Sequence, residues 1–433
     1  MNHDAPSPAA SANAPASSAT SSAAAKAEAK GLAPVHDFAA KLRQGALWPH
    51  VVDYVAWQQA RRRAAAAGHA EPALPALVPL SINLDLTTAC NYACDHCIDW
   101  DILNSKVRHE DEALRESLRA MAARGLRSVI LIGGGEPTLY PGFPDMVAFL
   151  KALGLQVAIV SNGSRGDRLL QAAPHLRKGD WIRLSLDAGS NEVFRRMHNP
   201  SSKTLTLDEI CSWIPRIRAA QPELTVGFSF VITWQGGSRG AVKVIENIHE
   251  MVMAAERARG AGFHYISYKP FLERTADGSE VMDPAHAADL GAAIQAIQRN
   301  VALARQLERE DFRVIESTNL RVLMAGNWRD FTRQPKVCHM QALRQVVTPL
   351  GTFNCPAHRG VEKARVGAKD AWADPAAATA RTRDILDRFD ASTECREVTC
   401  LYHGTNWWIE SLIEASVAPV APVDGPPGSD FFL

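Results

Sequence analysis

Three cysteines stand close together as Cys90-Asn-Tyr-Ala-Cys94-Asp-His-Cys97, and thiolates are the ligands that hold iron–sulfur clusters. The run from Ile82 to Leu86 just before them alternates as a strand does, so one loop offers all three thiols. Three ligands for a four-iron cluster leave one iron without a protein ligand. An open metal position of that kind can bind and activate a small molecule. Two other readings fit the spacing. Zinc would take a fourth ligand from His96 or from a distant residue. Buried apolar cysteines are the third possibility, and the polar neighbours Asn91, Asp95 and His96 speak against it.

The elements that must position this loop follow from the rest of the chain. Its 433 residues exceed what one core usually takes, which predicts one large domain with appendages. Hydrophobic residues make up 46%, ample for a core. Lys+Arg and Asp+Glu both number 47, so no global charge draws the chain to nucleic acid or a membrane surface. No apolar run is long enough to span a bilayer. Eight cysteines without a secretory or transit signal predict a reducing, cytoplasmic setting and metal ligation rather than disulfides. Residues 1–34 read as a disordered Ala/Ser-rich tail, 35–79 as a helical extension and 417–433 as a Pro-rich tail.

Between Ser81 and about Asp311 strands and helices alternate. Strands are expected near 127–132, 155–160, 181–186, 224–233 and 263–268, with a helix over 242–259 among those between them. This pattern predicts an α/β fold of parallel βα units, a partial (β/α)6 TIM-like barrel over 80–312. In such barrels function sits at the C-terminal ends of the strands. The polar signatures fall there: Cys90–Cys97, then Gly133-Gly134-Gly135-Glu136-Pro137, Ser161-Asn162-Gly163, Ser185-Leu-Asp187 and Lys269-Pro-Phe. Each alone is ordinary turn chemistry. Their shared rim is the informative fact.

Together these motifs resemble the radical S-adenosylmethionine (SAM) superfamily. The resemblance implies that Cys90, Cys94 and Cys97 hold a [4Fe–4S] cluster whose fourth iron chelates SAM, and that reductive cleavage of SAM gives a 5′-deoxyadenosyl radical. It further implies that Gly133, Gly134, Gly135, Glu136 and Pro137 receive the methionine ammonium, the glycines allowing close approach to the main chain. His96 would contact adenine. Ser161, Asn162, Ser185 and Asp187 would line the ribose and carboxylate, with Arg195 or Arg196 pairing with that carboxylate.

Four later cysteines, Cys338, Cys355, Cys395 and Cys400, form a second constellation around a hairpin expected at Val346–Phe353. They resemble the auxiliary-cluster extensions called SPASM or, in shorter form, twitch domains, here over 313–416. The SPASM pattern has more cysteines, so the twitch-like version, one auxiliary [4Fe–4S] cluster, fits the count. A structural zinc on the same four remains the alternative, with His339, His358 and His403 near enough in sequence to substitute. Cys211 reads as a core residue of an amphipathic helix.

A closed auxiliary cluster favours removal of a second electron from a substrate radical. The implied reaction is dehydrogenation or crosslink formation on a small specialised metabolite. The proton would go to a base at the barrel mouth, for which Lys269, Tyr268, Glu273, Arg274 and Asp101 are candidates. Trp407-Trp408 could wall a pocket, although core packing is the default for tryptophan. Peptide maturation and epimerisation are the neighbouring enzymatic readings, and a zinc-binding scaffold is the non-enzymatic one. A flavodoxin or ferredoxin is the expected electron donor.

Overall fold

The computed structural model describes residues 37–415 and 429–433; the expected tail 1–34 lies outside them. Its centre is a ten-stranded sheet. In chain order the strands are β1 (Ser81–Leu84), β2 (Ser128–Leu131), β3 (Gln156–Ser161), β4 (Trp181–Ser185) and β5 (Thr225–Ile232). They continue as β6 (Tyr265–Pro270), β7 (Arg313–Glu316), β8 (Arg344–Thr348), β9 (Gly351–Phe353) and β10 (Arg365–Gly367). Across the sheet the order is β7-β6-β5-β4-β3-β2-β1-β8-β9-β10. All neighbours from β7 to β8 are parallel, and β9 and β10 add antiparallel. The fold is α/β, an open partial barrel.

Alternation decides which side chains face the helices. Ile82, Leu84, Val129, Leu131, Val157, Ile159, Ile182, Leu184, Phe228, Phe230 and Ile266 are all but fully buried in one core. Residues one position away on the same strands, such as Asn83, Arg183, Ser229 and Lys269, face the other side, the barrel lumen. β-Branched and aromatic residues thus line the covered face, and polar ones the lumen.

The expected boundary near residue 312 does not divide the sheet. β7 extends it at one end, and β8 pairs with β1 from Ser81↔Arg344 to Leu84↔Val347 at the other. Nor does the N-terminal helical segment stand apart. Leu47, Trp48, Val51, Tyr54 and Trp57 pack with Met340, Leu343, Tyr402, Ile409 and Ile413 in a second core. The helix expected over 242–259 begins only at Met251 and runs to Ala261. Upstream of it, the Ile245 N–H donates to Asp95, and Asn247 bonds Thr233, Asp187 and Val231. Those tertiary bonds replace the helical ones.

The tail expected over 417–433 is partly docked. Ser429–Leu433 crosses the N-terminal ends of β1–β4: Ser128 Oγ donates to the Phe431 carbonyl (2.7 Å), and Gln156 bonds both Ser429 and Phe431. Lys41 holds Asp430 at 2.9 Å, and the Phe432 ring meets Trp181 edge-on at 5.4 Å. Phe432 is almost fully buried. Replacing Phe432 by Ala is expected to cost about 3 kcal/mol, the usual loss for a buried phenylalanine, read as a lowered unfolding midpoint in denaturant.

Candidate functional site

The cysteine loop is laid against two neighbours. On one side its backbone pairs with the chain after the Asn191–His198 helix, through Ala93 N–H to His198 O (3.1 Å), Asp95 N–H to Met197 O (2.9 Å) and Ser201 N–H to Asn91 O (2.9 Å). On the other it meets the glycine run: Glu136 N–H donates to Ala89 O at 2.8 Å. A Cβ on Gly135 would lie 2.5 Å from Ala89 O and 2.6 Å from Thr87 O, so only glycine fits there.

Glu136 is buried and organises the rim. It accepts from Ser161 Oγ (2.7 Å), the Asn162 N–H (2.7 Å) and the Thr138 N–H (3.0 Å). Burial raises its pKa even so, and these donors oppose the rise. Ser161 also accepts from the Gly163 N–H, and Asn162 ties β3 to the cysteine loop through Asn91 (3.0 Å). Ser161 and Asn162 therefore brace the rim within the chain, at the place where they are expected to line the ribose and carboxylate of SAM.

His96 bridges two carboxylates, Nδ1 to Asp95 (2.8 Å) and Nε2 to Asp187 (3.0 Å). Burial opposes its charge, but the two carboxylates outweigh burial and raise its pKa to about 9. Asp187 sits at φ 52°, a conformation side-chain-bearing residues seldom adopt. Its other oxygen accepts the Val231 N–H at 2.7 Å.

Sequence reasoning missed His198. Its Nδ1 is 3.2 Å from Cys94 Sγ and its Nε2 3.0 Å from the Leu186 carbonyl. Donation from Nε2–H to Leu186 leaves Nδ1 to accept at Cys94. Burial lowers its pKa to about 4. The signal was helical period: Val193, Phe194, Met197 and His198 share the buried face. Arg195 and Arg196 lie on the opposite, exposed side, where Arg195 bonds the Leu205 carbonyl and Arg196 pairs with Glu192. The structure does not bring these two arginines to the rim.

The proposed bases separate as well. Tyr268 is a correction: it sits on the helix-facing side of β6 and donates to the Met251 carbonyl (2.7 Å). Arg274 is committed to Asp99, Asp101 and Glu280. Lys269 projects into the lumen, and Glu273 keeps a buried Oε1 without a hydrogen-bond partner among the described residues. Cys211 packs in the main core with Ile210 and Ile214, away from the lumen.

The later cysteines do converge. Cys355, Cys395 and Cys400 each lie within electrostatic reach of Cys338. Burial, reinforced by these neighbours, pushes the Cys355 thiol up to about 12 and those of Cys395 and Cys400 well above the usual value. Cys90, Cys94 and Cys97 are raised by burial in the same way. Burial raises the core thiol of Cys211 in the same way, so it is their grouping, not their pKa, that marks these cysteines as candidate ligand sets. Among the described residues the one trio of His, Cys, Asp or Glu ligand atoms within 4.8 Å of one another is His96–Asp187–His198. Neither cysteine group is therefore drawn in to zinc's tetrahedron, whose sulfurs stand about 3.8 Å apart at a Zn–S length of about 2.3 Å. His339 has both ring nitrogens engaged, by Tyr54 (2.8 Å) and Glu410 (2.7 Å).

One buried charge network joins the two regions. Arg359, four residues past Cys355, pairs with Asp85 (3.0 Å) at the end of β1 and with Asp99 (2.7 Å) just past Cys97. Asp85 also accepts the Gly134 N–H (3.0 Å). Burial lifts Asp85 to about 7, with Arg359 opposing. Its folded value lies above the ordinary carboxylate value, so Asp85 subtracts stability as pH rises towards 7. Arg359→Met strands two buried carboxylates and is expected to cost about 3–5 kcal/mol at pH 7. Denaturant unfolding beside the wild type should show that cost shrinking at lower pH, where protonation discharges Asp85.

Residues 84–235 match the family model of the Radical SAM superfamily. This stretch is a radical SAM domain. The cofactors of that family are a [4Fe–4S] cluster and SAM. An S-adenosylmethionine-dependent nucleotide dehydratase of Thermoplasmatales archaeon (strain ISO4-H5) is 34% identical over 25% of this chain and 38% of its own length. One from Selenomonas ruminantium is 28% identical over 35% of this chain and 56% of its own. The chain thus spans well under two thirds of these relatives. Streptococcus suis SuiB bound to S-adenosylmethionine superposes with a TM-score of 0.50 at 15% identity, over 70% of this chain and 68% of that one; this likeness concerns the fold alone. The radical SAM domain holds Cys90, Cys94, Cys97, Glu136 and Asp187. The four later cysteines lie beyond it. Among the described residues no helix is long and apolar enough to cross a membrane.

Proposed function

We propose that this chain is a radical SAM oxidoreductase that oxidises a small metabolite, with Cys90, Cys94 and Cys97 holding the SAM-binding [4Fe–4S] cluster and Cys338, Cys355, Cys395 and Cys400 an auxiliary one. The observation that carries the reading is the separation of the cysteines into three in one rim loop and four others gathered around Cys338. Bound together, cluster and SAM supply a 5′-deoxyadenosyl radical that removes a hydrogen atom from substrate, and a fully ligated second cluster supplies an acceptor for the next electron.

The chain's own groups do the rest. The Gly133–Gly135 backbone approaches closely enough to receive the methionine ammonium, and Glu136 adds negative charge there. His96, charged and pinned between Asp95 and Asp187, has both ring N–H groups spent on those carboxylates and offers the nucleoside side its ring plane rather than a donor. Glu273, raised in pKa by burial and with a free Oε1, takes the substrate proton. Residues 37–80 carry no strand, so they offer no edge on which a peptide leader could add, and the relatives named above are nucleotide enzymes. Both points favour a small molecule over a peptide. Cys211, buried behind the sheet, is poorly placed to return a hydrogen atom, which disfavours epimerisation.

The test is anaerobic reconstitution followed by incubation of the reduced protein with SAM. About eight irons, a brown chromophore and 5′-deoxyadenosine are expected. Zinc without colour, or no SAM cleavage, would sink the reading.

A further inference from the structure

We propose that Arg183, Ser229, Ser267 and Lys269 form a binding wall in the barrel lumen for an oxyanion of the substrate, a phosphate or a carboxylate. The inference rests on the reading of the rim above them as the SAM site.

Register places the four on one surface. Across β4, β5 and β6, Arg183 aligns with Gly227 and Tyr265, Ser185 with Ser229 and Ser267, and Val231 with Lys269. The intervening residues, Ile182, Leu184, Phe228, Phe230, Ile266 and Tyr268, are buried against the helices. The polar set therefore points the other way, as a ladder of cation, hydroxyls and cation rising towards Asp187. Hydroxyls and guanidinium forks are the groups that hold oxyanions.

These groups lack partners of their own. Among the described residues neither Arg183 nor Lys269 has an ion pair or hydrogen bond, and neither serine hydroxyl has a partner. Arg183 Nε is buried and unsatisfied, and its guanidinium lies over the Trp181 ring with the centroid 5.2 Å away. Asp187 is the nearest acid by its influence on Lys269, but His96 and the Val231 N–H already occupy its two oxygens. Buried donors without acceptors are costly, and two cations sharing a lumen are costlier. An entering oxyanion relieves both. Burial, then the Arg183 charge, holds the Lys269 amine well below its usual range against Asp187, so oxyanion binding would draw a proton onto it.

Opposite Arg183 the strand carries Gly227, and the Tyr265 ring covers it: a Cβ there would come within 2.4 Å of ring atoms. The ring and the Trp181 face form flat walls below the ladder. A substrate anchored here by its charged end would present its remaining carbons towards the rim that carries Cys90–Cys97.

The experiment is calorimetric titration of the cluster-reconstituted, SAM-saturated full chain with pyrophosphate and, separately, with succinate. Saturable binding of at least one is expected, weakened about ten-fold or more by Arg183→Gln and by Lys269→Gln, as loss of a charge-assisted bond requires. Tighter pyrophosphate binding assigns a phosphate, and tighter succinate binding a carboxylate. In unmodified protein, the bound anion should shield Lys269 from acetic anhydride, read by mass spectrometry; this arm needs no variant to fold. Binding of neither anion, unchanged affinity in both variants, no shielding, or binding that SAM itself abolishes would overturn the proposal. The last outcome would mean that the pair serves the carboxylate of SAM. Formation of 5′-deoxyadenosine by the same wild-type preparation tests the underlying reading separately.

Discussion

Replacing Cys90, Cys94 or Cys97 by alanine, one at a time, abolishes 5′-deoxyadenosine formation and lowers the iron content from about eight to about four per chain. The expectation comes from the ligand count. An open site has no spare thiol, and the nearby candidates are committed elsewhere: His96 to Asp95 and Asp187, His198 to Leu186 and Cys94. Nothing in the loop can rotate in as a substitute, because Ala93, Asp95 and Ser201 fix its backbone against the 197–201 segment. The alanine variants should still fold, since these residues only pack against the edge of the main core, which lies behind β1 and β2. Iron analysis and chromatography of the SAM reaction read the result. An alanine variant that still cleaves SAM at the wild-type rate refutes the assignment.

Alanine at Cys355 or Cys395 should give a different pattern. Iron again falls to about four, but SAM cleavage continues while oxidation of any substrate the wild type turns over is lost. The physical reason is separation of roles. The four later thiols gather beside β8–β10 and contribute no group to the Glu136–Asp187 rim. Cys338 and Cys400 also line the core shared by the 48–67 and 403–414 helices, and Cys338 is bonded by Asn406 (3.5 Å). Loss of this centre should therefore lower thermal stability as well, since metal binding to a folded ligand set is folding free energy. Substrate oxidation at the wild-type rate without the Cys395 thiolate would refute the electron-acceptor role.

Much of the site was legible because its signals are local. CxxxCxxC needs only one loop, and glycine beside a strand marks a place with no room for a side chain, as at Gly135 against Ala89 and Thr87. Strand alternation likewise gave the parallel order of β1–β6. Other assignments failed for equally specific reasons. Tyr268 and Lys269 are sequence neighbours, yet strand pleat sends them to opposite sides of the sheet. Arg195 and Arg196 had the right chemistry on the wrong helical face, whereas His198 had the right face and no motif to advertise it. The 242–250 segment reads as helix until Asp95 and Thr233 claim its backbone and side-chain groups.

The thiol ligands, the barrel class and the rim at which the motifs gather were legible in the sequence, because each is encoded in spacing along one stretch of chain. What crosses between stretches emerged with folding alone. Arg359 joins the segment after Cys355 to the loop after Cys97, residues 429–433 close the floor of the barrel, and Arg183 comes to share a lumen face with Lys269 across three strands. Those pairings are set by sheet order and register, and neither leaves a trace in local periodicity.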